Sequence, residues 1–164
     1  MNKVLVSACN YYAGKDDIVI HVGDLITYGK DRGIDSPKEN PTVYLNQIDA
    51  TFVNIAGNHD SNNKVKSIGT YLRTSLGPFV DVSVSHYPSY HPLAKGTFIP
   101  GDVHLCGHVH EKWKHYLDEQ NKVLNINVGV DVWGYRPVSE DNLVSYIRNV
   151  LGIEWHTKKS ETKT

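Results

Sequence analysis

Cysteine is scarce in this chain: Cys9 and Cys106 are the two among 164 residues, and neither belongs to a Cys-x-x-Cys pair. That excludes a disulfide framework and makes a cysteine-ligated structural zinc a poor reading. No apolar run approaches membrane-spanning length. The stretch Val4-Leu5-Val6 is shorter than the core of a signal peptide, and Asn10-Tyr11-Tyr12 breaks it. Charge of one sign is lacking too: 17 Lys and Arg against 18 Asp and Glu leave a net charge of -1, with no basic run. A broad polyanion-binding face is therefore not indicated, although small phosphate compounds stay open because bound metals can supply positive charge. These absences give an expectation of a cytoplasmic protein with two free thiols, no membrane partner and no extended nucleic-acid partner.

The chain is 40% hydrophobic and 21% charged, as in an ordinary globular protein. Its length fits one domain, expected over residues 1–156, with a polar tail at 157–164. Residues 4–12 are mostly apolar and read as helix or strand. Residues 18–22 and 51–55 are near-continuous apolar runs, as in strands buried on both faces. Residues 28–41 read as a loop and 41–48 as a short helix with proline in its first turn. The expectation for 64–76 is a helix. Residues 79–85 alternate as a strand, 103–106 form another, and 113–116 with 123–128 flank a hairpin turn at 118–121. Ser139 caps a last helix whose stripe is Leu143, Tyr146, Ile147 and Val150, with Gly152 ending it.

Four short polar clusters stand at the ends of apolar runs: Gly23-Asp24, Gly57-Asn58-His59-Asp60, His86 and Gly107-His108-Val109-His110. Strand ends are where open α/β sheets bind ligands. Asp24 supplies a carboxylate able to bridge two cations, Asn58 a carbonyl oxygen, and His86, His108 and His110 imidazole nitrogens. That O/N set without cysteine admits Mn, Fe, Zn, Co or Ni. His108 and His110 share a face if the backbone there is extended. The preceding glycines permit close backbone approach. His59 with Asp60 has the form of a general acid and its orienting carboxylate. Singly, each cluster is more often a turn, a cap or a surface polar residue; together and in order, they favour a metal centre. His21 reads as a satisfied core histidine, His91 as a loop residue, and His104, His115 and His156 as structural or exposed. Tyr11, Tyr12, Tyr87 and Tyr90 stay open between core and cleft.

In this order the clusters resemble the calcineurin-like metallophosphoesterase family, over roughly residues 13–145. That family's pattern runs Asp-x-His, Gly-Asp, Gly-Asn-His-Asp/Glu, His, Gly-His-x-His. Residues 127–139 are similar to a small bacterial and phage subgroup of it. The resemblance implies an α/β (α+β sandwich) fold of four layers, two mixed sheets face to face between helices. It implies a phosphoesterase that hydrolyses a phosphate mono- or diester through a metal-activated hydroxide. Carried over, Asp24 would bridge, Asn58, His86 and His108 would complete one metal site, His110 would serve the other, and His59 would aid the leaving group with Asp60 behind it. The substrate implied is a small phosphate ester or nucleotide. The pattern's first element has no counterpart before Gly23: residues 6–17 align with the end of the family's first helix, leaving about thirty residues, one βα unit, unmatched. Three expectations follow. One divalent transition metal (Mn, Fe, Zn or Ni) is well held and a second position is weak. A sheet edge is exposed and open to a homo-oligomer. The alternative to an enzyme is a non-catalytic metal-binding or interaction protein retaining the fold.

Overall fold

A computed structural model describes residues 2–25, 41–60 and 65–150. The expected loop at 28–40, Gly152, His156 and the tail at 157–164 lie outside the described residues.

The ambiguous N-terminal segment is a helix, α1 (Asn2–Tyr12). Leu5 is half-buried and Cys9 and Ala13 are buried, an i, i+4, i+8 face. After a turn, β1 (Ile18–His21) pairs in parallel with β2 (Thr51–Asn54). Between them lies the short helix α2 (Thr42–Leu45), shorter than the expected 41–48 and with Pro41 at its N-cap rather than in its first turn. The expectation that β1 is buried on both faces fails: Ile18 and Ile20 are 67% and 40% exposed. β2 is also only half-buried over Phe52 and Val53, with Thr51 exposed. A parallel pair needs cover on both faces. This sheet has two strands, and among the described residues nothing covers the Ile18–Ile20 face.

The second sheet has five strands in the order β3-β4-β5-β7-β6. They are β3 (Tyr71–Leu76), β4 (Phe79–Ser85), β5 (Val103–Cys106), β6 (His115–Asp118) and β7 (Val123–Asn127). β4, β5 and β7 run parallel, while β3 and β6 are antiparallel edges. The fold is mixed α/β, with few helices.

β3 corrects the helix expected over 64–76. Gly77 at φ +52° and Pro78 turn the chain so that β3 pairs with β4, Leu76 opposite Phe79. Cross-strand pairing outweighs the local preference of a short segment. A Cβ on Gly77 would stand 2.8 Å from the Val144 side chain, so the corner is also packed tight. The β6–β7 hairpin forms, but β6 lies two residues later than the expected 113–116, and Asp118, read as part of the turn, pairs with Val123. The last helix, α3 (Glu140–Ser145), is capped by Ser139, whose hydroxyl accepts from the Asn142 N–H, and continues as a π-helical turn through Tyr146–Val150. Leu143 and Ile147 are buried against Val82, Val84, Val103, Leu124 and Ile126, and Val22 and Ile55 extend this core towards the two-stranded sheet. Among the described residues, no helix is long and apolar enough to cross a membrane.

Candidate metal centre

Because β1 and β2 are parallel, as are β4 and β5, the chain leaves each pair at one edge. Asp24 and Asn58 follow β1 and β2; His86 and His108 follow β4 and β5. The two rims meet. His86 Nε2 lies 2.9 Å from Asn58 Oδ1, 3.1 Å from His108 Nδ1 and 3.3 Å from Asp24 Oδ2.

The tautomer of His86 follows from its other nitrogen. Nδ1 is 2.8 Å from the Val22 carbonyl oxygen, which can only accept, so Nδ1 carries the proton. Nε2 faces a carboxylate oxygen and an amide oxygen inside a site where His86 is buried: in the neutral ring it offers a lone pair there, and in the protonated ring it donates to them. Electron-pair donors crowded in this way are relieved by a cation. Ligand atoms about 2.1 Å from a cation lie about 3.0 Å apart at right angles and about 3.4 Å apart at tetrahedral angles. The spacings here match that range. The donor set thus fits a divalent transition metal held by Asp24, Asn58, His86 and His108.

The backbone is bent to bring these groups together. Asp24 and His108 sit at φ +59° and +69°, a costly region for residues with a Cβ that recurs at functional sites. Gly23 (φ +86°) leaves no room for a side chain, since a Cβ would lie 2.6 Å from the Gly57 backbone and 2.7 Å from His86 Nδ1. A Cβ on Gly57 would collide with Asp24. The glycines are needed at these two places as the sequence implies.

Burial raises the pKa of the Asp24 carboxyl, but hydrogen bonds from His86 and from the His59 backbone N–H (2.8 Å) outweigh it. The group lies below the usual carboxylate range and stays ionised. Burial lowers the pKa of His108, aided by the nearby His86 and His91 and opposed by Asp24, which keeps it neutral and able to ligate. Tyr87 packs edge-on to both histidines, at 4.9 and 4.8 Å, and stacks on His91 at 4.2 Å. The Tyr87 hydroxyl is pushed up by burial and by the Asp24 charge.

Two expected roles come out differently. Asp60 does not orient His59. It is buried, and its oxygens accept from the N–H groups of Asp24 (3.0 Å), Leu25 (3.0 Å) and Gly57 (2.8 Å) and from Asn54 Nδ2 (3.2 Å). It ties the β1 and β2 loops together, while the His59 side chain is left exposed at the rim. His110 does not join the cluster around Asp24. The extended backbone that would align it with His108 is absent: His108 and His110 both have positive φ, and a 3₁₀ turn begins at His110. Its Nδ1 faces Asp131 Oδ2 at 3.4 Å, in an exposed group with Glu111.

The other histidines behave largely as read. His21 Nδ1–H donates to Asn54 Oδ1 at 2.7 Å. His104 is fully buried between Ser83 Oγ (2.8 Å) and Ser85 Oγ (3.1 Å). His115 contacts the Tyr146 hydroxyl. His91 caps a short 3₁₀ turn, Pro92–Ala94, but also stands 5.3 Å from His108, nearer the site than its loop position indicates. Asp131 was missed by sequence reasoning. Its signal was available, since it follows β7, the next strand parallel to β5.

The class defined by fold and site is therefore a mixed α/β protein with an Asp/Asn/His cluster at its strand ends. No protein-family model and no curated protein matches the sequence. Among solved structures, the chain is similar in fold to AQ665 from Aquifex aeolicus, a protein of unknown function, with a TM-score of 0.59 and 19% identity over 89% of this chain and 84% of that one. At that identity the likeness speaks for the fold alone.

Proposed function

We propose that the protein is a metal-dependent phosphoesterase of the calcineurin-like metallophosphoesterase kind, acting on a small phosphate ester or nucleotide. The observation that carries this reading is the convergence of Asp24, Asn58 and His108 on Nε2 of His86. The four-layer arrangement of that family belongs to the same proposal.

These four residues would hold a divalent cation, which would supply Lewis acidity towards a phosphate oxygen and lower the pKa of water. The chain's own residues do the rest. Asp24 stays ionised and brings negative charge to the cluster. The Val22 carbonyl holds the His86 ring in one tautomer, a role that tunes metal affinity. His59 is exposed next to Asp24, its backbone N–H bonded to the carboxylate, where its ring can protonate a departing alkoxide. Such help is worth about 10²–10⁴-fold in rate. Asp60 preserves the spacing of the two loops.

The test is hydrolysis of p-nitrophenyl phosphate and bis-p-nitrophenyl phosphate with added Mn²⁺. Asp24→Ala and His86→Ala are expected to abolish turnover, and His59→Ala to lower it by about 10²-fold or more while metal binding persists. Wild-type protein that binds Mn²⁺ and hydrolyses neither ester would instead support the second reading, a non-catalytic metal-binding protein. The turn of His110 towards Asp131 favours that second reading, since it leaves the Asp24 cluster with ligands for one ion. Calorimetric titration is expected to give one tight site per chain; two tight sites would contradict the single-ion arrangement.

A further inference from the structure

Away from the metal cluster, a cleft of about 640 Å³ opens between α3 and the loop after β7. Tyr12, Trp133 and Tyr146 line it, together with Lys114 and Arg136, and no carboxylate does. None of the four proposed metal ligands reaches it.

The two cations are held against rings. The Lys114 ammonium lies 3.7 Å from the Trp133 ring centre and 4.9 Å from that of Tyr146. The Arg136 guanidinium lies 5.3 Å from the Tyr12 ring centre, and its Nη1 donates to the Tyr12 hydroxyl at 3.1 Å. Among the described residues neither cation has an ion-pair partner. The walls are fixed as well: Trp133 Nε1 donates to the Asn127 carbonyl at 2.8 Å, and the Tyr146 hydroxyl meets His115 Nδ1 at 2.7 Å.

Cation–π contact weakens hydration and restricts the rotamers of both heads. They are therefore positioned for an anion before it arrives, which lowers the ordering cost of binding. The volume is that of a small-molecule site. Two cations without an ion-pair partner among the described residues select an anionic group, and the aromatic walls select a flat ring attached to it. We propose that this cleft binds a small anionic molecule bearing a planar ring, of the chemical class of a nucleoside monophosphate. The site is independent of any metal, and it stands whether or not the cluster at the strand ends hydrolyses esters.

Isothermal titration in EDTA separates this site from the metal cluster. Adenosine monophosphate is the probe, with adenosine and inorganic phosphate as its two halves. AMP is expected to bind about tenfold or more tighter than either half, and Lys114→Gln and Arg136→Gln to weaken it by about tenfold or more each. Asn142→Asp places a negative charge on the cleft wall without removing a cation–π pair, and is expected to weaken AMP while leaving the melting temperature in place. His86→Ala is expected to leave AMP binding unchanged. The proposal is overturned if AMP gives no binding, if either half binds as tightly as AMP, or if AMP affinity falls with His86→Ala and not with Asn142→Asp.

Discussion

Asp60 and His59 are neighbours in sequence with opposite duties. Asp60 is 1% exposed, and four donors from two separate stretches of chain converge on its carboxylate. Removing it strands those donors in a buried place, so Asp60→Ala is expected to destabilise the fold by about 3–5 kcal/mol. His59→Ala keeps the backbone N–H bonded to Asp24 and is expected to stay within about 0.5 kcal/mol of wild type. Chemical denaturation of the two variants checks this. Equal losses would mean that Asp60 is not the tie between the loops. The sequence shows both residues plainly but not this division, because a carboxylate's partners are chosen by loops that are 36 residues apart in the case of Asp24.

Among the elements, the strands of the five-stranded sheet were the most legible. β4 and β5 are bounded by turn residues and carry strong β-formers, and both form where expected. β3 was not legible, because its strand character comes from its partner rather than from its own alternation: its two faces are mixed in burial, with Leu76 alone buried. The strand-end placement of Asp24, Asn58, His86 and His108 was readable. His110 was misplaced because a two-residue spacing says nothing about a backbone that turns left-handed at both histidines. β5 also makes a pH prediction. Burial lowers the pKa of His104 from 6.5, with the Tyr87 carbonyl and Asp102 opposing. The unfolded chain then takes up the proton first as pH falls. Stability is full above about pH 6.5 and declines below it, towards the lowered folded value. His21 is shifted the same way, by burial first. Melting temperatures are expected to drop between about pH 6.5 and 5, with a flatter slope in His104→Gln.

For the molecule as a whole, the unequal sheets matter. The five-stranded sheet buries its central strands on both faces, whereas the two-stranded sheet leaves Ile18 and Ile20 in solvent and the outer edge of β1 without a strand partner among the described residues. An open edge beside exposed apolar side chains invites pairing with a second copy. Light scattering is expected to show dimers or larger species at high concentration, and Ile18→Lys with Ile20→Lys to shift them to monomer. A wild-type protein that stays monomeric throughout would count against an intermolecular edge.

Asp24, His108 and His110 occupy left-handed backbone positions, where glycine would sit without penalty. Asp81, Lys122 and Tyr135 share that backbone region away from the cluster, so the backbone cost alone marks no site; what the side chains at 24 and 108 add is the proposed metal ligation. Under that proposal, positions 24 and 108 act as a lineage record. In relatives without the proposed metal centre, glycine or asparagine should appear at 108 early, well before the buried strands of the five-stranded sheet begin to drift. A collection of related sequences sorted by what stands at these sites would separate working copies from relics before any enzyme is assayed.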